Sequence, residues 1–180
     1  YLYDVVHAAN PILIKDYQVD RIKSFLHPSA YSLTESYQQD NSVMAIGSGM
    51  LTGKGLNSSS MATVKQANLV SEQQTDFIFS IVGEELGFIG CMFVIAILVL
   101  IMLQCIKVAR SAKNTSGMLI ATGMAALIVF QSFMNIGVAI KLLPNTGLPL
   151  PFVSYGLSSL LSLSIGMGLV LNVSLQKRKY

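Results

Sequence analysis

Acidic residues are scarce in this chain and vanish from its second half: residues 86–180 contain neither Asp nor Glu. Any chemistry that needs a carboxylate must therefore use the first half. Charged residues make up only 12% of the chain and hydrophobic residues 52%, and the mean hydropathy is +0.58. This balance excludes an ordinary soluble domain and indicates a protein that crosses a membrane several times.

Disulfide, zinc and nucleic-acid patterns are also missing. Cys91 and Cys105 share one apolar run. They would lie about 20 Å apart on a continuous helix, so we interpret them as small packing residues. His7 and His27 have no Cys or carboxylate at metal-ligand spacing, so no structural zinc site is predicted. The basic residues cluster beside apolar runs without interleaved aromatics, so the net charge of +3 indicates membrane orientation and no nucleic-acid partner.

What the chain does contain is three long apolar runs. Residues 86–106 carry no charge and are extended toward their start by 77–83, residues 115–140 form a second run, and residues 151–176 form a third. Each meets the roughly 20 apolar residues that a membrane-spanning helix needs. The prolines in 144–151 should end any regular helix before the third run.

The sequence therefore predicts an all-α, polytopic integral membrane protein fragment in three parts. Residues 1–16 are interpreted as the end of a preceding transmembrane helix, and residues 17–76 as a large extracytoplasmic loop. Residues 77–180 would form three transmembrane helices with a Pro-rich outer turn and a basic cytoplasmic tail. Because the chain lacks an initiating Met and a signal-peptide pattern, we expect it to be the C-terminal part of a longer protein.

Basic residues predict the orientation of these spans. Lys107, Arg110 and Lys113 lie between the first two runs, and residues 177–179 follow the third. The positive-inside rule places both groups in the cytoplasm. An odd number of crossings separates Asp76 from the basic C-terminus, so Asp76 is expected on the outer side of the membrane.

Asp76 is the main candidate for chemistry, because it stands at the start of the first apolar run. One interpretation is structural: a carboxylate at a helix start caps the helix and interacts favourably with its dipole. The other is functional: a general base held where water meets lipid would suit a substrate whose tail stays in the membrane and whose head lies outside.

Three further charged residues accompany Asp76. Glu84 and Glu85 lie about two helical turns beyond it and should face protein or water, with Glu84 close to the same helix face. Lys54 lies in a glycine-rich stretch that lacks the order of a phosphate-binding P-loop. Such a turn can still contact a pyrophosphate through backbone N–H groups and charge, although a simple flexible turn is the commoner explanation.

Six ordered motifs resemble one known family. They are AIGSG at 45–49, GKG at 53–55, TDFIF at 75–79, GEELG at 83–87, NIG at 135–137 and LPNTGLPLPFVSYG at 143–156. Together they are similar to the C-terminal half of the SEDS (shape, elongation, division and sporulation) proteins, which include FtsW, RodA and SpoVE. The resemblance runs from about Tyr17 to the end of the chain.

The resemblance implies a multi-pass bacterial cell-membrane glycosyltransferase that polymerises lipid II into peptidoglycan strands on the outer membrane face. Asp76 would be the catalytic carboxylate, deprotonating the acceptor sugar hydroxyl while undecaprenyl pyrophosphate leaves with inversion. Lys54 and Arg21 are candidates to steady the pyrophosphate, and Glu84 to contact substrate. No cofactor is identified, and a divalent cation stays open. The family also implies a class B penicillin-binding protein as partner, and the isolated fragment is expected to be inactive.

Two other functions stay open at this point: a flippase for lipid-linked precursors, suggested by Glu84 and Glu85 in a membrane helix, and a noncatalytic scaffold for a cell-wall transpeptidase. The chain also departs from the usual family pattern at six positions. Asn41 replaces a Gln, Ser71 replaces a Pro, and Gln74 replaces a basic or His residue. Met50, Lys141 and Leu157 each replace a Gly. None of these removes Asp76 or Lys54.

Overall fold

The computed structural model describes residues 35–55 and 75–176, together with Arg21, Ser24 and Phe25. Within these residues the protein is built of helices and contains no strand, which confirms the predicted all-α class. The helices are α1 (Glu35–Ser48), α2 (Ile78–Ser111), α3 (Thr115–Ala139) and α4 (Leu157–Leu175). The segment expected to end a preceding helix, 1–16, and the basic tail at 177–180 lie outside the described residues.

Three of these helices, α2, α3 and α4, are long and apolar enough to cross a membrane. Their positions confirm the three predicted apolar spans. Large apolar side chains such as Phe93 and Phe130 are mainly exposed on their outer faces, as expected of surfaces that contact lipid. Helix α4 starts at Leu157 because the preceding residues, including the buried Pro151, form turns and irregular structure instead.

Helix α2 is interrupted at Gly87, a feature that the apolar pattern does not predict. Gly87 has φ 67° and ψ −163°, a backbone conformation that only glycine adopts readily. The loop that follows α1, residues 49–55, lies against this break and binds the peptide groups that the break releases. Four backbone hydrogen bonds join them: Lys54 N to Glu84 O (3.0 Å), Gly55 N to Glu85 O (3.0 Å), Phe88 N to Met50 O (2.9 Å) and Ile89 N to Leu51 O (3.2 Å).

Helix α1 is likewise absent from the sequence prediction, which gives this region no regular structure. Its contacts explain why the sequence does not predict it, since polar side chains rather than an apolar stripe join α1 to the rest of the protein. Gln39 Nε2 donates to the carbonyls of Val138 (3.2 Å) and Leu143 (2.8 Å), and Ser42 Oγ donates to Ala139 O (2.8 Å). These carbonyls belong to the end of α3 and the turn after it, where carbonyl groups have no N–H partner within the helix.

Small side chains bring α2 and α3 together. Ala121, Ala125 and Cys105 are almost fully buried in the main apolar core, and such residues allow close approach of membrane helices. Cys91 and Cys105 are both free thiols buried in this core, which agrees with their interpretation as packing residues.

Candidate functional site

The candidate site is built on the turn that precedes α2. Phe77 occupies the N-cap position and makes no side-chain capping bond, so Asp76 lies one residue outside the cap. The structural interpretation of Asp76 stays a prediction, because a carboxylate one residue before the cap can still interact favourably with the helix dipole. Phe77 is 1% exposed and packs with Val138 and Leu143, whereas Asp76 is only partly buried. The apolar neighbour anchors the turn and leaves the carboxylate near the surface.

Asn135 of α3 fixes the main chain of Asp76. Its Nδ2 group donates to Asp76 O at 2.7 Å and to Leu148 O at 2.8 Å, and the side chain is fully enclosed at 1% exposure. One amide group therefore ties the turn before α2 to the Pro-rich segment after α3. A buried polar side chain with two such bonds defines a geometry closely, because losing either bond strands a buried acceptor.

Ser154 holds the neighbouring peptide in the same way. Its hydroxyl donates to Thr75 O at 2.6 Å and accepts the N–H of Leu150 at 2.7 Å. Ser154 is 3% exposed and Leu150 is 1% exposed. The Pro-rich segment is thus folded onto itself and onto the turn by one hydroxyl group.

The carboxylate of Asp76 faces the tight turn at Gly147. Gly147 has φ 67°, and a Cβ placed on it would lie 3.5 Å from Asp76 Oδ2 and 3.7 Å from Arg21 Nη1. The turn is held by Asn145 Oδ1, which accepts the N–H of Gly147 at 3.2 Å. Asp76 and Arg21, 55 positions apart in the chain, therefore converge on one glycine.

Lys54 and Glu84 form a second charged group. Lys54 Nζ lies 2.8 Å from Glu84 Oε1, with side-chain exposures of 26% and 2%. Glu84 follows Asp76 by eight residues, about 12 Å along a helix axis. The structure thus brings Arg21 to Asp76 and Lys54 to Glu84, and it separates the two pairs by about two helical turns. That Lys54 and Glu84 contact substrate stays a prediction.

Asn135 and Ser154 are the residues that sequence reasoning missed as organisers of the site. Both lie inside motifs that carry the family resemblance. The available signal was a carboxamide in the apolar run of α3, since an amide at membrane depth needs protein partners. In the described parts of the chain, no group of three or more His, Cys, Asp or Glu side chains could hold a metal ion.

Comparisons with known proteins agree on the family. The family model FtsW/RodA/SpoVE, described as "Cell cycle protein", matches residues 2–179. Peptidoglycan glycosyltransferase MrdB of Escherichia coli K12 is 36% identical over 166 residues, covering 92% of this chain and 44% of the relative. Stage V sporulation protein E of Bacillus subtilis is 38% identical over 167 residues, covering 93% of this chain and 44% of the relative.

A solved structure also resembles this one. A chain of the structure described as "Structural coordination of polymerization and crosslinking by a peptidoglycan synthase complex" matches with a TM-score of 0.70 and 28% identity. The match covers 99% of this chain and 48% of that chain, and the chain likewise spans less than half the length of the two curated relatives above. With its model matched across almost every residue, the chain belongs to the FtsW/RodA/SpoVE family.

Proposed function

We propose that the protein carrying this chain is a peptidoglycan glycosyltransferase that polymerises lipid II, with Asp76 as the general base. One observation carries the proposal: the partly exposed Asp76 carboxylate lies at the end of an apolar helix bundle, beside Gly147 and the Arg21 guanidinium. Relatives named peptidoglycan glycosyltransferase share the chain over most of its length.

The chemistry needs a base and a cation close together. Asp76 accepts the proton of the acceptor sugar 4-hydroxyl while the oxygen of that hydroxyl bonds to the anomeric carbon of the donor. The bond from that carbon to the pyrophosphate oxygen breaks, and the negative charge leaves with undecaprenyl pyrophosphate. A cation stabilises this charge as it develops. Arg21 is the better placed cation, because it lies beside Asp76 at Gly147, whereas Lys54 lies with Glu84 about two helical turns away.

The proposed orientation puts this reaction on the outer membrane face. Asp76 lies at the start of α2, and three apolar helices separate it from the C-terminal end of the described chain. Lys107, Arg110 and Lys113 lie around the α2–α3 connection at the other end of the bundle. The positive-inside rule assigns that connection to the cytoplasm, which leaves the site outside, where glycan strands are needed.

A class B penicillin-binding protein is the proposed partner. The structural relative comes from a peptidoglycan synthase complex described as coordinating polymerization and crosslinking. Crosslinking is the reaction of a transpeptidase, so a polymerase of this fold would work beside one.

The decisive experiment is Asp76→Asn in the intact protein, reconstituted with lipid II. Asparagine keeps the size of the side chain and removes the base, so we expect polymer yield to fall by at least a hundredfold with an unchanged unfolding temperature. Asp40→Asn is the matched control, because Asp40 is an exposed aspartate on α1 that pairs with Lys141. It should retain activity.

Normal polymer yield from Asp76→Asn would reject the assigned base. Movement of lipid II across vesicles without strand synthesis by the unaltered protein would indicate a transporter. If Asp76→Asn instead lost transpeptidase binding and kept full polymerisation, Asp76 would have a scaffold role.

A further inference from the structure

A groove of about 330 Å³ lies between α3 and α4. Its polar lining consists of Gln131 on α3 and three serines in the first two turns of α4, Ser158, Ser159 and Ser162. Pro149 and apolar side chains such as Leu127 complete it. The role assigned to Asp76 does not use any of these residues.

The groove lies close to the candidate site. Gln131 precedes Asn135 by four residues and so faces the same side of α3, one turn further into the bundle. Pro149 follows Leu148, whose carbonyl Asn135 binds together with that of Asp76. The groove therefore starts beside Asn135, which holds the main chain of Asp76, and it runs between the outer turns of α3 and α4.

The described polar side chains that line the groove are uncharged, and their oxygen atoms can accept a hydrogen bond. Gln131 Oε1 is buried and has no hydrogen-bond partner among the residues that the structure describes. Ser162 Oγ donates to Ser158 O at 2.6 Å, so its lone pairs can still accept a bond. A buried acceptor without a donor is costly, and more so at membrane depth.

The lining also limits what can bind. Among the residues that the structure describes, the lining includes no Lys or Arg, so a pyrophosphate would find no compensating charge from them. A sugar fits better, because its hydroxyl and acetamido groups supply donors for Gln131 and the serines. The C–H face of a sugar ring can pack on Pro149.

We propose that this groove is a subsite for an uncharged N-acetylated sugar of the lipid-linked substrate, which it binds through hydroxyl and amide groups beside Asp76. This inference rests on the proposed glycosyltransferase function. It assigns the sugar to the α3–α4 groove and leaves the charged pyrophosphate to the side of Arg21.

The test uses Gln131→Leu and the double variant Ser158→Ala/Ser162→Ala in the intact protein, with purified lipid II as substrate. Each removes hydrogen-bonding groups from the groove and leaves Asp76 in place. We expect the KM for lipid II to rise about three- to tenfold, the effect of one or two lost hydrogen bonds, with kcat within about twofold. Ser164→Ala, an exposed serine of α4 outside the groove, should leave both constants unchanged.

A direct binding measurement keeps the proposal testable if a groove variant fails to fold. A photo-crosslinking amino acid at position 158 should capture radiolabelled lipid II, and unlabelled lipid II should compete. Capture of another helix of the same protein instead would overturn the proposal, because the groove would then be filled by protein.

The outcome also separates the two proposals. Unchanged KM in both groove variants, together with polymerisation that depends on Asp76, would overturn the subsite alone. Absence of polymerisation by the unaltered protein would overturn the proposed function, whereas the crosslink would still report whether the groove binds the substrate.

Discussion

The break in α2 makes a sharp prediction for Gly87→Ala. An added Cβ would lie 2.3 Å from Gly53 N and 2.7 Å from Leu51 O, which is far inside van der Waals contact. The loop at 49–55 cannot yield by rotating a side chain, because both atoms belong to its main chain. Alanine therefore has to push the loop away or straighten the helix.

The magnitude follows from two losses. Alanine at φ 67° and ψ −163° costs about 1 to 3 kcal/mol in backbone strain. Moving the loop also strains its backbone bonds to α2, such as Phe88 N to Met50 O, and each lost bond costs about 1 kcal/mol. We expect Gly87→Ala to destabilise the protein by about 2 to 5 kcal/mol.

Thermal unfolding of the intact protein in detergent measures this effect, with Gly123→Ala as control. Gly123 lies in α3, and a Cβ placed on it would meet nothing within 4 Å. Its replacement should be neutral or stabilise by up to about 1 kcal/mol, since alanine favours the helix. Equal unfolding temperatures for the two variants would refute the claim that the break needs glycine.

Two further changes test the contacts around the site by the same unfolding assay. Lys54→Met should destabilise the protein by about 3 kcal/mol, because it removes a cation from the buried Glu84. Adding Glu84→Gln should recover part of the loss, and no recovery would argue against the pair. Ser154→Ala should cost about 2 kcal/mol by leaving the buried Leu150 N–H without its acceptor. Ser111→Ala should cost almost nothing, because the exposed Ser111 hydroxyl donates to carbonyls of its own helix. Equal costs would contradict the role given to Ser154.

Apolar run length was sufficient to predict the three long helices, because burial of a continuous apolar surface in lipid dominates their formation. It could not reveal the break at Gly87 or helix α1, since both depend on polar contacts between segments far apart in the chain. The family pattern held a further clue. Met50 and Lys141, which replace family glycines, have φ of 49° and 58°, so glycine is usual there because the backbone is left-handed.

The candidate site shows the same division between local and distant information. The TDFIF motif identifies Asp76 from the sequence alone, but the residues that hold it come from α3 and the Pro-rich segment. No local pattern states that Asn135 reaches Asp76 O or that Ser154 reaches Thr75 O. Such pairings arise from packing, so they become visible only once the helices are placed.

These anchors also suit the chemistry proposed for Asp76. A general base gains and loses a proton in every turnover, so a position set only by an ion pair would shift as its charge changes. Asn135 and Ser154 instead bind the main-chain carbonyls of Asp76 and Thr75, and these bonds do not depend on the charge of the carboxyl group. The anchors remain in Asp76→Asn, which is why that variant is expected to lose activity while the turn keeps its place.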